Sequence, residues 1–283
     1  MSPDERLARI VRGIKEAGVD VLVMGGHAVR YYGIDRNTSD FDMVTSVASP
    51  AELLAKLPAS PLFGAIRAVH AWRSDDFARF EIGTLPDGRQ EFLEFWIRNH
   101  LLADFVTLKE RAEIGRYGED DVAFLSLDDL IRSKETERET DWLDIALLEE
   151  IRDARLLARA TDQDGVVEAV ANVRSRRGLE RLESSGLLHD EETVSRAIEQ
   201  CTHPVTFAML YPLTRSSPSR QLPASFESNI IDVLAKETFN SSRHRGIVEV
   251  VRRSYRRQAM EKDRMDKEAK VRALRGLRGY PKK

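Results

Sequence analysis

The stretch Val21-Leu22-Val23-Met24-Gly25-Gly26-His27-Ala28-Val29-Arg30-Tyr31-Tyr32-Gly33-Ile34-Asp35-Arg36-Asn37-Thr38-Ser39-Asp40-Phe41-Asp42 decides the fold. Its first residues are apolar and rich in valine, and read as a short buried strand that ends at a Gly-Gly turn. Gly26 to Tyr32 carries a brief helical pattern stopped by Gly33, and a polar loop then leads to a second strand over Asp40–Val44. Alternation on that strand sends Phe41 and Met43 to the core and turns Asp40 and Asp42 together to the other face. Two carboxylates side by side repel each other, and a divalent cation is the usual remedy. Gly25 and Gly26 leave the backbone bare where a ligand must come close. The N–H groups that open the next helix favour an anion such as phosphate. Phosphate and Mg²⁺ at one place imply phosphoryl or nucleotidyl transfer.

On the N-terminal side, Ser2-Pro3-Asp4-Glu5 reads as a helix start with a capping box, and Leu7, Ile10, Val11 and Ile14 recur at helical spacing up to Gly18. On the C-terminal side, Ser49-Pro50 opens a short helix. Strands are expected near Ala65–Trp72 and Arg79–Thr84, with Pro86-Asp87-Gly88 turning into a return strand over Gln90–Ile97. Leu108 to Ile114 reads as helix, and Val122–Leu125 as a further short strand. Ser126-Leu127-Asp128-Asp129 opens a helix that runs through Lys134, and another is expected from Arg138 to Leu157. Beyond Thr161 the strand signals fade. Helices are expected over 163–173, 177–185, 190–200 and 226–237, with Pro212 to Ala224 as a long loop and a long helix from Arg243 onward.

Composition bounds the class. With 42% hydrophobic and 32% charged residues in 283, the chain has the balance of a globular protein with a charged surface. The start Met1-Ser2-Pro3-Asp4 has no apolar core of a signal peptide, and no run nears the ~18 apolar residues of a membrane span. The single cysteine, Cys201, excludes an internal disulfide and a cysteine metal cluster, and reads as a small core residue. A cytoplasmic protein is expected. Charge is uneven: Ser241 to Lys283 holds 15 Lys+Arg against 5 Asp+Glu, leaving 29 against 42 in the rest. Such a basic tail suits either a phosphate backbone or an acidic body of the same chain.

The pattern Gly25-Gly26-x-Ala28, then Gly33, Arg36-x-Thr38-x-Asp40-Phe41-Asp42, resembles the nucleotidyltransferase-fold superfamily. It is most similar to the group of AbiE-type abortive-infection toxins and minimal nucleotidyltransferases, with aminoglycoside and lincosamide nucleotidyltransferases further off. The resemblance spans about Val19 to Glu150. It implies an α/β fold with a mixed sheet flanked by helices over residues 1–150, and leaves an all-helical domain over 151–283 with its basic tail from about 241. It implies transfer of a nucleoside monophosphate from an NTP to a hydroxyl, with two Mg²⁺ ions held by Asp40, Asp42 and a third acid. That acid is expected to be Glu94, within Leu93-Glu94-Phe95, as metal ligand or base; Glu91 and Glu81 are its rivals. Gly25, Gly26, Arg36 and Thr38 match the nucleotide-binding signature. The segment Leu127 to Lys134 is similar to one that ends in a functional lysine, which would neutralise the phosphates. Arg138, Asp141 and Asp144 match a basic-x-x-Asp-x-x-Asp run in which Thr140 replaces a lysine.

For the acceptor, the toxin-like resemblance implies RNA, tRNA among it, or a protein, and a cognate antitoxin as partner. The antibiotic-modifying relatives imply a small aminoglycoside-like acceptor instead. A third possibility is a non-catalytic nucleotide-binding module.

Overall fold

A computed structural model describes residues 2–64, 66–69, 75–84, 88–117, 119–210, 213 and 244–277. The chain divides into two compact units, Met1–Lys134 and Glu135–Lys283.

The first unit begins with α1 (Pro3–Glu16), closed by the expected capping box: Ser2 accepts from the Glu5 N–H while Glu5 accepts from the Ser2 N–H. Leu7, Ile10, Val11 and Ile14 on one face are all buried. β1 (Val21–Val23) leads through Met24 into α2 (Gly25–Tyr31), and β2 (Phe41–Thr45) returns antiparallel to β1. α3 (Pro50–Lys56) follows, capped by Ser49. Then come β3 (Arg67–Ala68), β4 (Phe77–Thr84) and β5 (Gln90–Trp96), with β4 and β5 an antiparallel hairpin. Of the strand expected over 65–72, residues 65 and 70–72 lie outside the described residues, as do Pro86 and Asp87 of the expected turn.

Where a helix over 108–114 is expected, α4 (Phe105–Glu110) starts earlier, at the Asp104 cap, and a strand, β6 (Glu113–Tyr117), follows it. β6 pairs with β7 (Asp120–Phe124). The glycine at its centre and the outward-facing Ile114 hide the strand signal, since neither alternation nor β-branching is regular there. The sheet is mixed and seven-stranded, ordered β3-β4-β5-β2-β1-β7-β6, with β2–β5 and β1–β7 parallel. This matches the expected fold class. Phe63, Phe80, Phe95 and Phe124 are the largest wholly buried side chains. α5 (Leu127–Ser133), capped by Ser126, ends the unit at Lys134.

The second unit holds α6 (Glu139–Arg159), α7 (Gln163–Asn172), α8 (Arg176–Ser184), α9 (Glu191–Gln200), α10 (Pro204–Leu210) and α11 (His244–Leu277). No strand lies among its described residues. The units divide between 134 and 135 rather than at the expected 150, because α6 runs unbroken through Glu150. α10 gives no sequence periodicity because a helix buried on every side has no polar face. Cys201 lies in the core with Val170, Leu182 and Val205, and burial pushes its thiol up to about 11. The expected loop at Pro212–Ala224, apart from Leu213, and the expected helix over 226–237 lie outside the described residues. No described helix is long and apolar enough to cross a membrane.

Candidate functional site

The turn between β1 and α2 is tied to β2 by backbone: the Met24 N–H donates to the Asp42 carbonyl at 2.9 Å. Gly25 has φ +64°, and a Cβ there would stand 2.0 Å from Asp42 Oδ2. The left-handed conformation and the close approach both require glycine. At Gly26 a Cβ would meet the Thr38 side chain at 2.6 Å. Thr38 Oγ1 lies 3.4 Å from the Asp40 carbonyl, and Arg36 is half-buried in the same loop. The glycine pair, Thr38, Asp40 and Asp42 are thus brought together as expected from their spacing.

Asp42 pairs in register with Glu94 across the parallel β2–β5 ladder, and their carboxyls hydrogen-bond to each other. Burial lifts the Asp42 carboxyl well above the usual carboxylate range; Glu94 and Asp40 lift it further, and the Lys134 ammonium pulls it back. Lys134 itself is buried at the C-terminal end of α5. It gets there because β7 runs beside β1, with the Leu125 N–H donating to the Val23 carbonyl at 3.0 Å before α5 begins.

The rivals of Glu94 are placed elsewhere. Glu91 is 2% exposed and ion-paired with Arg6 of α1, on the opposite face of β5 by alternation. Glu81 lies on β4 across from Phe92, not Glu94. His27 stacks on Phe41 with ring centroids 4.7 Å apart, so it belongs to the core side of β2. Its ring nitrogens are buried with no hydrogen-bond partner among the described residues, and burial, helped by Arg30, lowers its pKa to about 4. Arg138 belongs to the second unit, where its Nε lies 3.7 Å from Asp141 Oδ2. Asp141 there accepts from Thr136 Oγ1 at 2.6 Å.

One residue escaped the sequence reading. Arg79 on β4 stands directly across from Glu94, so three adjacent strands set Arg79, Glu94 and Asp42 in one row. Its Nε is 3.0 Å from Glu94 Oε1, its Nη2 is 4.0 Å from Asp40 Oδ2, and its guanidinium carbon lies 3.7 Å from the centre of the Phe92 ring. Only the cross-strand register reveals it.

The donor chemistry of Asp40, Asp42 and Glu94 suits a hard cation such as Mg²⁺, since all three offer carboxylate oxygens and the acids around Asp42 outweigh the pull of Lys134 on it. The expected three-acid cluster is nevertheless a pair with a flanking acid. Asp42 and Glu94 meet, while Asp40 is 38% exposed and turned towards Arg79. Among the described residues no three His, Cys, Asp or Glu side chains are grouped as one metal ion would require.

No family model matches the chain, and no curated protein does. Among solved structures it is similar to an antigenic nucleotidyltransferase-like protein from Paracoccidioides brasiliensis, at 14% identity and a TM-score of 0.39, over 72% of this chain and 95% of that one. It is similar to JHP933 from Helicobacter pylori, at 12% identity and a TM-score of 0.36, over 97% of this chain and 99% of that one. A tRNA nucleotidyltransferase complexed with a primer tRNA and an incoming ATP analogue matches at 15% identity and a TM-score of 0.25, over 98% of this chain and 87% of that one. With no TM-score above 0.39 among them, none of these proteins' activities carries over to this chain.

Proposed function

We propose that the chain is a metal-dependent nucleotidyltransferase that moves a nucleoside monophosphate from an NTP to a hydroxyl and releases pyrophosphate. The observation that supports it best is the crowding of acids beside a bare glycine turn. Asp42 and Glu94 share a hydrogen bond, the charge of Asp40 helps to raise the Asp42 carboxyl, and a Cβ at Gly25 would strike Asp42. A cluster of acids held this close, with a raised carboxyl among them, is the arrangement expected of a functional site.

In this reading Asp40, Asp42 and Glu94 would hold Mg²⁺, which would supply positive charge for the triphosphate and the leaving pyrophosphate. Gly25 and Gly26 let the phosphates approach the backbone, with Arg36 and Thr38 shaping the loop around them. Lys134 supplies a compact positive charge for the leaving group. As base rather than ligand, Glu94 would instead take the proton from the acceptor hydroxyl while the hydroxyl oxygen bonds to the α-phosphorus and the bond to pyrophosphate breaks. The role of Arg138 at the nucleotide is proposed on the sequence resemblance alone. The acceptor class follows the toxin-like resemblance: RNA, tRNA among it, or a protein hydroxyl.

The test is transfer of label from each of four α-³²P-NTPs, with Mg²⁺, to total RNA, to protein and to an aminoglycoside panel. Label on RNA or protein is expected, and its loss in the double variant Asp40→Asn, Asp42→Asn with the fold intact. Turnover that survives in that variant overturns the assignment.

A further inference from the structure

We propose that Arg79 is a built-in counter-cation of the acid cluster, positioning Glu94 and Asp40 and competing with a divalent cation for their oxygens. The inference rests on the reading of Asp40, Asp42 and Glu94 as cation ligands, and adds to it a residue that sets how tightly the cation is held.

The sheet sets the geometry. β4, β5 and β2 lie side by side, and their registers place Arg79 across from Glu94 and Glu94 across from Asp42. Neighbouring strands are ~4.8 Å apart, so a long side chain on one reaches the next residue's head group with ease. The Arg79 guanidinium packs over the Phe92 ring, 3.7 Å from its centre, and its side chain is 20% exposed. From that seat it faces Glu94 at 3.0 Å and Asp40 at 4.0 Å, the two acids that flank Asp42.

The contact with Glu94 is an ion pair without hydrogen-bond alignment, because Arg79 Nε has no hydrogen-bond partner among the described residues. A guanidinium normally grips a carboxylate through two parallel, directed bonds. Here the Nε contact is one of charge beside the aromatic face rather than a directed bond. Glu94 Oε1 and Asp40 Oδ2, the oxygens facing Arg79, are also oxygens that a cation bound at these acids would use. Asp40 turns towards Arg79 and Glu94 is shared between Arg79 and Asp42, which accounts for three acids that stand near one another without converging. A dication that gathers them must draw Glu94 and Asp40 away from the guanidinium. Removal of that positive charge should therefore tighten cation binding, whereas loss of a merely structural residue should loosen it. The two accounts differ in sign.

The experiment titrates Mn²⁺, as a paramagnetic stand-in for Mg²⁺, into the full chain and reads free Mn²⁺ by electron paramagnetic resonance, without nucleotide or turnover. Arg79→Met is expected to bind Mn²⁺ at least about tenfold more tightly than the parent. Arg79→Lys, which keeps the charge, is expected within about threefold of the parent. Near-ultraviolet circular dichroism reports the fold of each. Should Arg79→Met fail to fold, Arg79→Gln keeps much of the length without the charge and carries the same expectation. Equal or weaker binding by a folded, uncharged variant overturns the proposal. If Mn²⁺ binding survives Asp40→Asn with Asp42→Asn, the ligand assignment fails instead, whatever Arg79 does. No Mn²⁺ binding by any of the proteins overturns both.

Discussion

Asp42 in the sheet-bearing unit and Asp153 in the helical unit are alike in outline and differ in company. Each presses against a glycine: a Cβ on Gly25 would stand 2.0 Å from Asp42 Oδ2, and one on Gly178 would stand 2.5 Å from Asp153 Oδ2. Asp153, wholly buried, accepts from the Ser175 N–H at 2.6 Å and the Arg174 N–H at 3.1 Å, with Arg152 Nη1 at 3.4 Å. One turn earlier on α6, Glu149 has Arg174 at 3.0 Å and Arg252 at 3.4 Å. Burial pushes Glu149 up to about 7, and both guanidiniums pull against it. Asp42 is also lifted by burial, but there Glu94 and Asp40 push the same way and only Lys134 resists. Burial is common to both clusters; the sign of the neighbours is not. In the helical unit donors and guanidiniums outweigh the acids, whereas around Asp42 the acids outweigh Lys134.

The largest expected effect separates the two clusters by sign. Asp153→Ala strands two backbone N–H groups and leaves the Arg152 guanidinium without its buried carboxylate. A loss of ~3–5 kcal/mol is expected, read as a lower midpoint in urea unfolding. Asp42→Asn removes a charge that its neighbours oppose, and is expected to leave stability unchanged or raise it by about 1 kcal/mol while transfer activity disappears. Equal destabilisation by both variants would erase the contrast.

A further effect is pH-dependent and sharpens the same contrast within the first unit. Buried His27 has its folded pKa lowered to about 4 from 6.5, so the unfolded chain takes up the proton first. Its contribution is present above 6.5 and is lost as pH falls towards 4, up to roughly 3 kcal/mol. Asp42 acts in the opposite sense, since a raised carboxyl pKa makes the folded state gain stability as pH falls through it. Asp42→Asn deletes that compensation. Its stability should therefore drop more steeply between pH 6.5 and 4 than the parent's, followed by urea midpoints across the window. A parallel pair of curves would mean that the Asp42 carboxyl stays charged across the whole window in the parent, and so is not raised.

Much of the candidate site was legible because it is local. Gly25, Gly26, Thr38, Asp40 and Asp42 fall within one strand-turn-helix-strand unit, where spacing alone fixes who shares a face. Glu94 needed one long-range step, the pairing of β5 with β2, and its apolar neighbours Leu93 and Phe95 marked the strand. Arg79 needed two such steps, through β4–β5 and β5–β2, and nothing in Phe77-Ala78-Arg79-Phe80 sets that arginine apart from any other on a half-buried strand. β6 and α10 were missed for opposite reasons, one too irregular for its period and the other too uniformly buried to have one. Pairing across strands, rather than propensity, is what the sequence conceals here.

The smallest expected effect concerns the two glycines. Gly178 lies in the first turn of α8, where its N–H donates to Ser175 Oγ at 2.9 Å. Its difficulty is volume alone, because a methyl group would press on Asp153 and Val173. Gly178→Ala should destabilise by ~1–3 kcal/mol through overpacking. Gly25 adds its φ of +64° to the same kind of clash, and Gly25→Ala is expected to fall in a similar range, ~1–3 kcal/mol. Stability therefore does not distinguish the pair, but cation binding should. Gly25→Ala displaces the carboxylate read as a ligand and should weaken Mn²⁺ binding, whereas Gly178→Ala displaces one already satisfied by backbone donors and should leave it unchanged. If both variants lose Mn²⁺ affinity in proportion to their stability, the loss reflects general loosening, and the crowded acids in the first unit have no special claim on the cation.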